Sequence, residues 1–220
     1  MTSYDLSTPV GDLASSVPGA AGLLRRSGIS FCCDKGLTLA EAAAKSGIDG
    51  SVLLDDLVRL ADEAGVDAPD ETTELIGHII ERFHNSHRRD LPELIALAQK
   101  VEMVHGDHED APLGLADILE EISGHLLEHM QKEEAVLFPA MGSGQHRNLS
   151  QPAAMMRADH ADQASILRGL EHKTKGFRAP EGACRSWQVL YVGLEKFADD
   201  MVRHMALEND VLFPRFEVAR

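Results

Sequence analysis

Long apolar runs, basic charge, aromatic rings and cysteines are all in short supply in this chain, and each shortage removes a class of protein. No apolar stretch approaches the ~20 residues that cross a bilayer. The N-terminus has no basic segment followed by an apolar one, so a membrane protein or a secreted one is not expected. Net charge is −15, which excludes nucleic acid and anionic membrane as partners, because either needs a basic face. The three cysteines are Cys32, Cys33 and Cys184, too few for a disulfide framework. Adjacent cysteines bridge each other only with strain. A reducing compartment, the cytoplasm, is the expected location. Aromatics make up only 5% and no strand pattern is visible, so an all-α fold is expected.

What is present is helical. Residues 1–65 read as a small helical unit. Its first helix starts at Thr8-Pro9 and runs to Arg25-Arg26. A loop carrying Phe31-Cys32-Cys33-Asp34-Lys35-Gly36 follows. Thr38 and Glu41 form a capping box for a second helix, and Asp49 caps a third that ends near Gly65. Residues 66–71, with Pro69, form a linker. Residues 72–220 show four long helical stretches: about 72–104, kinked near Arg88 by Pro92; 112–138, ended by Pro139; 152 to before Gly176; and 181–213, stopped by Pro214. With mostly short connections they predict an antiparallel four-helix bundle.

Two copies of one phrase lie in this bundle, 75 residues apart. His129-Met130-Gln131-Lys132-Glu133-Glu134-Ala135-Val136-Leu137-Phe138-Pro139 and His204-Met205-Ala206-Leu207-Glu208-Asn209-Asp210-Val211-Leu212-Phe213-Pro214 share H-M-x-x-E-x-x-V-L-F-P. A histidine four residues before a glutamate puts both on one helix face. That face is the apolar seam: Ile122, Leu126, His129, Glu133, Val136 in one helix and Leu190, Leu194, Phe197, Met201, His204, Glu208, Val211 in the other. A carboxylate buried on such a seam needs a cation, and two copies of the same geometry point to a metal site in the bundle core.

The other two helices complete the set. The third offers His160, on a seam with Met156, Leu167 and Leu170. The first offers His84 and His87, which spacing leaves level. Four imidazoles and two carboxylates, with no thiolate on the seams, suit iron better than a structural zinc. Two glutamates on opposed helices can each bridge two ions, leaving room for an oxo or hydroxo bridge and a small ligand. The spacing differs from the Glu-x-x-His of ferritin-like carboxylate proteins and from the H-E-x-x-H of zinc proteases.

The duplicated phrase resembles the hemerythrin-like domain. The unit with Phe31-Cys32-Cys33 and a helix capped at Thr38 is similar to the small cysteine-containing domain of the iron–sulfur cluster repair (Ric) proteins. The resemblance covers essentially the whole chain. It implies a non-haem di-iron site with ligands His84, His129, Glu133, His160, His204 and Glu208, the glutamates bridging, which selects His84 over His87. It also implies repair of iron–sulfur proteins damaged by nitric oxide or peroxide, and a cytoplasmic homodimer. Iron donation is the expected activity, with nitric oxide reduction and oxygen binding or sensing as alternatives. Donation and reduction need the same open centre, so the sequence does not separate them.

Two departures from the family stand out. Cys32-Cys33 is followed by Asp34-Lys35-Gly36 where Gly-Gly is common, and His125 stands where a carboxylate is usual. His125 and His105 are accessory candidates at the site or its entrance. Cys32 and Cys33 are candidates for iron transfer or nitric oxide chemistry. Cys184 reads as structural. Met130 and Met205 read as core packing, and the two Phe-Pro pairs as helix terminators without chemistry.

Overall fold

A computed structural model describes residues 4–17, 19–29, 36–66, 69–143 and 149–217. The expected Cys32 and Cys33 lie outside the described residues. Among the described residues there is no strand, only one isolated bridge between Pro9 and Thr38.

The N-terminal part contains α1 (Val10–Ser16), α2 (Ala20–Arg26), α3 (Leu39–Ser46) and α4 (Gly50–Val66). The single first helix expected from the sequence is therefore two. The chain turns between them at Gly19, whose φ of 82° is a left-handed conformation that costs glycine little. Thr38 and Glu41 form the reciprocal capping box expected of them. Val10, Leu13, Leu24, Leu39 and Leu57 gather into a core of their own.

Four long helical rods follow. Rod α5 comprises Thr72–Ile79, a π-helical turn Ile80–His84, and Asn85–His105. Rod α6 comprises Leu115–Lys132, a π turn Glu133–Leu137, and Phe138–Gly142. Helix α7 is Ser150–Lys173. Rod α8 comprises Arg185–Ala206, a π turn Leu207–Leu212, and a 3-10 turn Phe213–Phe216. Rod α5 packs on α6 and α8, and α7 packs on α6 and α8, which closes the bundle.

The π turns correct three expectations. Pro92 sits inside the regular helix Asn85–His105, and the irregularity of α5 falls earlier, at Ile80–His84. Pro139 and Pro214 do not end their rods. Each stands in the first turn of a new helical segment, where no backbone N–H is required. In α6 the extra residue of the π turn moves the seam by one position. Leu137 is buried (5% exposed) and the seam candidate Val136 faces solvent (69% exposed). The fourth rod begins at Arg185, four residues later than expected, after the Gly182 turn.

The bundle interior has two apolar regions. One is built around Leu91, Leu119, Leu126, Trp187, Leu194 and Met201. The other contains Ile79, Phe83, Leu137, Phe138, Met156, Leu212 and Phe213. The N-terminal part docks on the bundle through Arg25, whose guanidinium reaches Glu171 of α7 and Glu195 of α8, both at 2.7 Å. Its face also stacks on Phe177 at 5.2 Å.

Candidate metal centre

His84, His129, Glu133, His160, His204 and Glu208 lie between the two apolar regions, and all six are buried. They form two groups. One is His84, Glu133, His204 and Glu208; the other is His129, Glu133, His160 and Glu208. Both glutamates belong to both groups. Glu133 Oε2 lies 3.5 Å from His84 Nε2, while Oε1 lies 3.2 Å from His129 Nε2. Glu208 Oε1 lies 3.1 Å from His204 Nε2, while Oε2 lies 3.1 Å from His160 Nε2. Within each pair of imidazoles the Nε2 atoms are 3.0 Å apart, His84 against His204 and His129 against His160.

Three rings have their other nitrogen committed. His84 Nδ1 donates to Glu134 Oε1 at 2.6 Å, His129 Nδ1 to Asp159 Oδ2 at 3.4 Å, and His160 Nδ1 to Asn209 Oδ1 at 2.9 Å. These acceptors select the tautomer with a lone pair on Nε2, and that lone pair points inward. Both Glu133 oxygens and Glu208 Oε2 accept no hydrogen bond despite full burial. Lone pairs thus converge from imidazoles and carboxylates without enough protons to share, and unpartnered buried carboxylate oxygens are costly. The donor set fits a metal cation, and imidazole with carboxylate suits iron.

The electrostatics follow from this crowding. Burial raises the Glu133 pKa, and the facing Glu208 raises it further. Burial acts on Glu208 in the same sense, but His204 and His160 outweigh it and hold Glu208 well below the ordinary carboxylate range. Burial and the neighbouring His204 push His84 down to about 4. Burial also works against a charge on His129, but contact with Glu133 prevails and raises it to about 9, so in the metal-free chain this ring carries a proton on Nε2 that a bound metal ion displaces.

The π turns set these positions. His84 ends the turn Ile80–His84, Glu133 begins Glu133–Leu137, and Glu208 lies within Leu207–Leu212. Such bulges re-aim side chains and occur frequently at functional sites. Three phenylalanines hold the rings flat: Phe83 on His204 at 5.6 Å, Phe213 on His160 at 6.0 Å, and Phe138 on His84 at 5.7 Å. The Phe of each Phe-Pro pair, read as a plain terminator, therefore positions a site histidine.

The remaining candidates are placed elsewhere. His87 is buried (1% exposed) against Phe83, Phe197 and His204, outside both groups. His125 is exposed and joins neither group. It lines a cavity of about 150 Å³ together with His129, Lys132 and Asp159. His105 is not brought to the centre at all, and contacts Cys184 instead. A second cavity, about 410 Å³, is lined by His160, Asn209, Arg157 and, from the N-terminal part, Tyr4 and Ser16. Both cavities meet the His129–His160 group, and neither is lined by His84 or His204. Sequence reasoning missed Glu134, Asp159 and Asn209 as partners of the histidines. Each directly adjoins a site residue in sequence, which is the signal that was there to use.

No described helix is long and apolar enough to cross a membrane. Residues 75–216 match the Hemerythrin HHE cation binding domain, and residues 6–61 match ScdA_N, a Domain of Unknown function (DUF542). The iron–sulfur cluster repair protein YtfE of Pectobacterium carotovorum subsp. carotovorum (strain PC1) is 41% identical over 210 residues, 94% of this chain and 95% of that protein. The protein of the same name from Escherichia coli (strain SMS-3-5 / SECEC) is 39% identical over 211 residues, with the same coverage. That of Citrobacter koseri is 39% identical over 210 residues.

Proposed function

Because this chain belongs to the YtfE iron–sulfur cluster repair family and carries its hemerythrin HHE domain, we propose that it supplies iron to damaged iron–sulfur proteins. In this reading residues 1–65 and 72–220 act as two cooperating units joined by 66–71. His84 and His204 would hold one ferrous or ferric ion and His129 and His160 a second, with Glu133 and Glu208 common to both groups. Iron is here the cargo. When bound, such iron would supply redox chemistry toward small ligands such as nitric oxide or oxygen.

The observation that carries the reading is the asymmetry of access. Aromatic rings pack on both imidazole pairs, Phe213 on His160 and Phe83 and Phe138 on His204 and His84, but it is the His129–His160 group that lines the two cavities described above. The chain's own groups then have distinct tasks. Glu134, Asp159 and Asn209 hold the imidazoles in the ligating tautomer. The inner pair retains its ion and anchors the glutamates. The outer pair exchanges its ion through a wall that carries Asp159 and Asp162, whose carboxylates favour a departing cation. Imidazole and carboxylate are harder ligands than the thiolates of a cluster, which favours release of ferrous iron toward a thiolate acceptor. Cys32 and Cys33 are proposed as the receiving thiols on the way out, and a cytoplasmic homodimer as the working form.

The test is anaerobic reactivation of a nitric-oxide-damaged [4Fe–4S] hydratase by protein loaded with labelled iron. Label in the rebuilt cluster supports donation. Nitrous oxide formed from added nitric oxide, with no label transferred, overturns donation in favour of a nitric oxide reductase using the same cavities.

A further inference from the structure

The end of the bundle remote from the metal centre carries a second chemical grouping. His105 closes α5, about 30 Å along the rod from His84 at the helical rise. Cys184 is the N-cap residue of α8, with extended backbone and no capping hydrogen bond from its sulfur. The sulfur turns instead to His105, with Sγ 3.0 Å from Nε2. The His105 ring rests on Trp187 at 5.2 Å, and His108 meets the same indole edge-on at 5.5 Å. Trp187 is buried and meets the Tyr191 ring edge-on at 6.2 Å. Cys184 itself is partly exposed.

These features favour thiol chemistry over packing or metal binding. Among the described residues no third histidine, cysteine or carboxylate joins Cys184 and His105 in a metal-sized group. A thiol with an imidazole in hydrogen-bond reach, the imidazole oriented by a third group, is the arrangement of an activated nucleophile. The first-turn N–H groups of α8 add positive potential where negative charge builds on the sulfur.

We propose that Cys184 and His105 form a thiol site that reduces a small hydroperoxide. Sγ attacks the terminal oxygen of ROOH, so that an S–O bond forms and the O–O bond breaks. The sulfur is oxidised by two electrons and the peroxide is reduced by two. The thiol proton passes through His105 Nε2 to the leaving alkoxide, giving ROH and the Cys184 sulfenic acid. A low-molecular-weight thiol then attacks the sulfenic sulfur, expelling water and leaving a mixed disulfide. A second thiol reduces that disulfide and restores Cys184. The site works independently of the metal centre.

The experiment uses the full metal-loaded chain carrying Cys32→Ser and Cys33→Ser, so that Cys184 is the one thiol left. Hydrogen peroxide is added, the sulfenic acid is trapped with dimedone, and the Cys184 peptide is quantified by mass spectrometry over time. Cys184 is expected to react at least about tenfold faster than free cysteine, and His105→Gln to remove that advantage, in line with general acid–base contributions. His108→Gln is expected to stay within about twofold. Near-UV circular dichroism of Trp187, the one tryptophan, reports whether each variant keeps the cluster. Should His105→Gln lose that signal, His105→Asn replaces it, and the rate of the His105-containing chain decides alone if both lose it. A Cys184 no faster than free cysteine, a His105 variant as fast as its parent, or oxidation that merely tracks sulfoxide at Met130 and Met205 beside the metal centre, overturns the proposal.

Discussion

Glu134 Oε1 receives the Nδ1 proton of His84 at 2.6 Å and an Arg88 guanidinium N–H at 2.8 Å. The residue directly after a bridging candidate thus decides which nitrogen of a histidine on another rod faces the metal centre. Removing an outer hydrogen bond of this kind commonly costs 10–100-fold in metal affinity. Glu134→Ala is therefore expected to weaken binding at the inner group by about that factor, with helicity unchanged. Competition against a chromophoric chelator measures it.

The π turn Glu133–Leu137 contains one residue more than regular α-helix needs, and Ala135 and Val136 are its exposed members. Deleting Val136 is expected to restore α-helical winding and keep the apolar contacts of Leu137 and Phe138. It re-aims Glu133 by the displacement that the bulge supplied. The variant should fold, by far-UV circular dichroism, and bind less than half the metal of the parent. Retention of full metal content would show that the π turn does not set the position of Glu133.

Buried carboxylates facing each other burden the metal-free chain. Glu133→Met combined with Glu208→Met is expected to abolish metal binding and to raise the melting temperature of the metal-free protein. Replacing buried ionic groups by apolar ones of similar volume typically stabilises by about 1–4 kcal/mol. The same substitution removes the extra stability that iron gives the parent. Thermal melts with and without a chelator distinguish the two effects.

Burial raises Glu171 to about 7 even though Arg25 pulls it down. A carboxyl whose folded pKa lies above its unfolded value binds more protons folded than unfolded. Stability therefore falls as pH rises from about 4.5 to 7, and the effect is complete above that window. Glu171→Gln is expected to flatten this part of the stability–pH curve. Urea denaturation at pH 5 and pH 7.5 tests it, and an unchanged difference between the two would contradict the assignment.

Much of the centre was legible because burial and periodicity are written in sequence. His129, Glu133, His204 and Glu208 interrupt apolar seams at positions where a polar residue needs a reason, and His160 does the same in α7. His84 and His87 were inseparable by spacing because both are buried. What parts them is the π turn Ile80–His84, which no hydrophobic period encodes. The corresponding insertion Glu133–Leu137 explains why the hydrophobic period assigns Val136 to the seam while Leu137 occupies it. Pro139 and Pro214 misled for a related reason: a proline is compatible with a helix that restarts at that point. The contact of His105 with Cys184 spans 79 residues and depends on how two rod ends meet. Only the assembled bundle reveals it.

The central claim is that two metal positions share Glu133 and Glu208, and that the His129–His160 position is the exchanging one. Stopped-flow release of ferrous iron to a chelator, under anaerobic conditions, tests it directly. The account predicts two ions per chain, lost in one fast and one slow phase of equal amplitude. It further predicts that His160→Ala removes the fast phase and His84→Ala the slow one. One ion per chain, a single phase for both ions, or a fast phase that survives His160→Ala would contradict it.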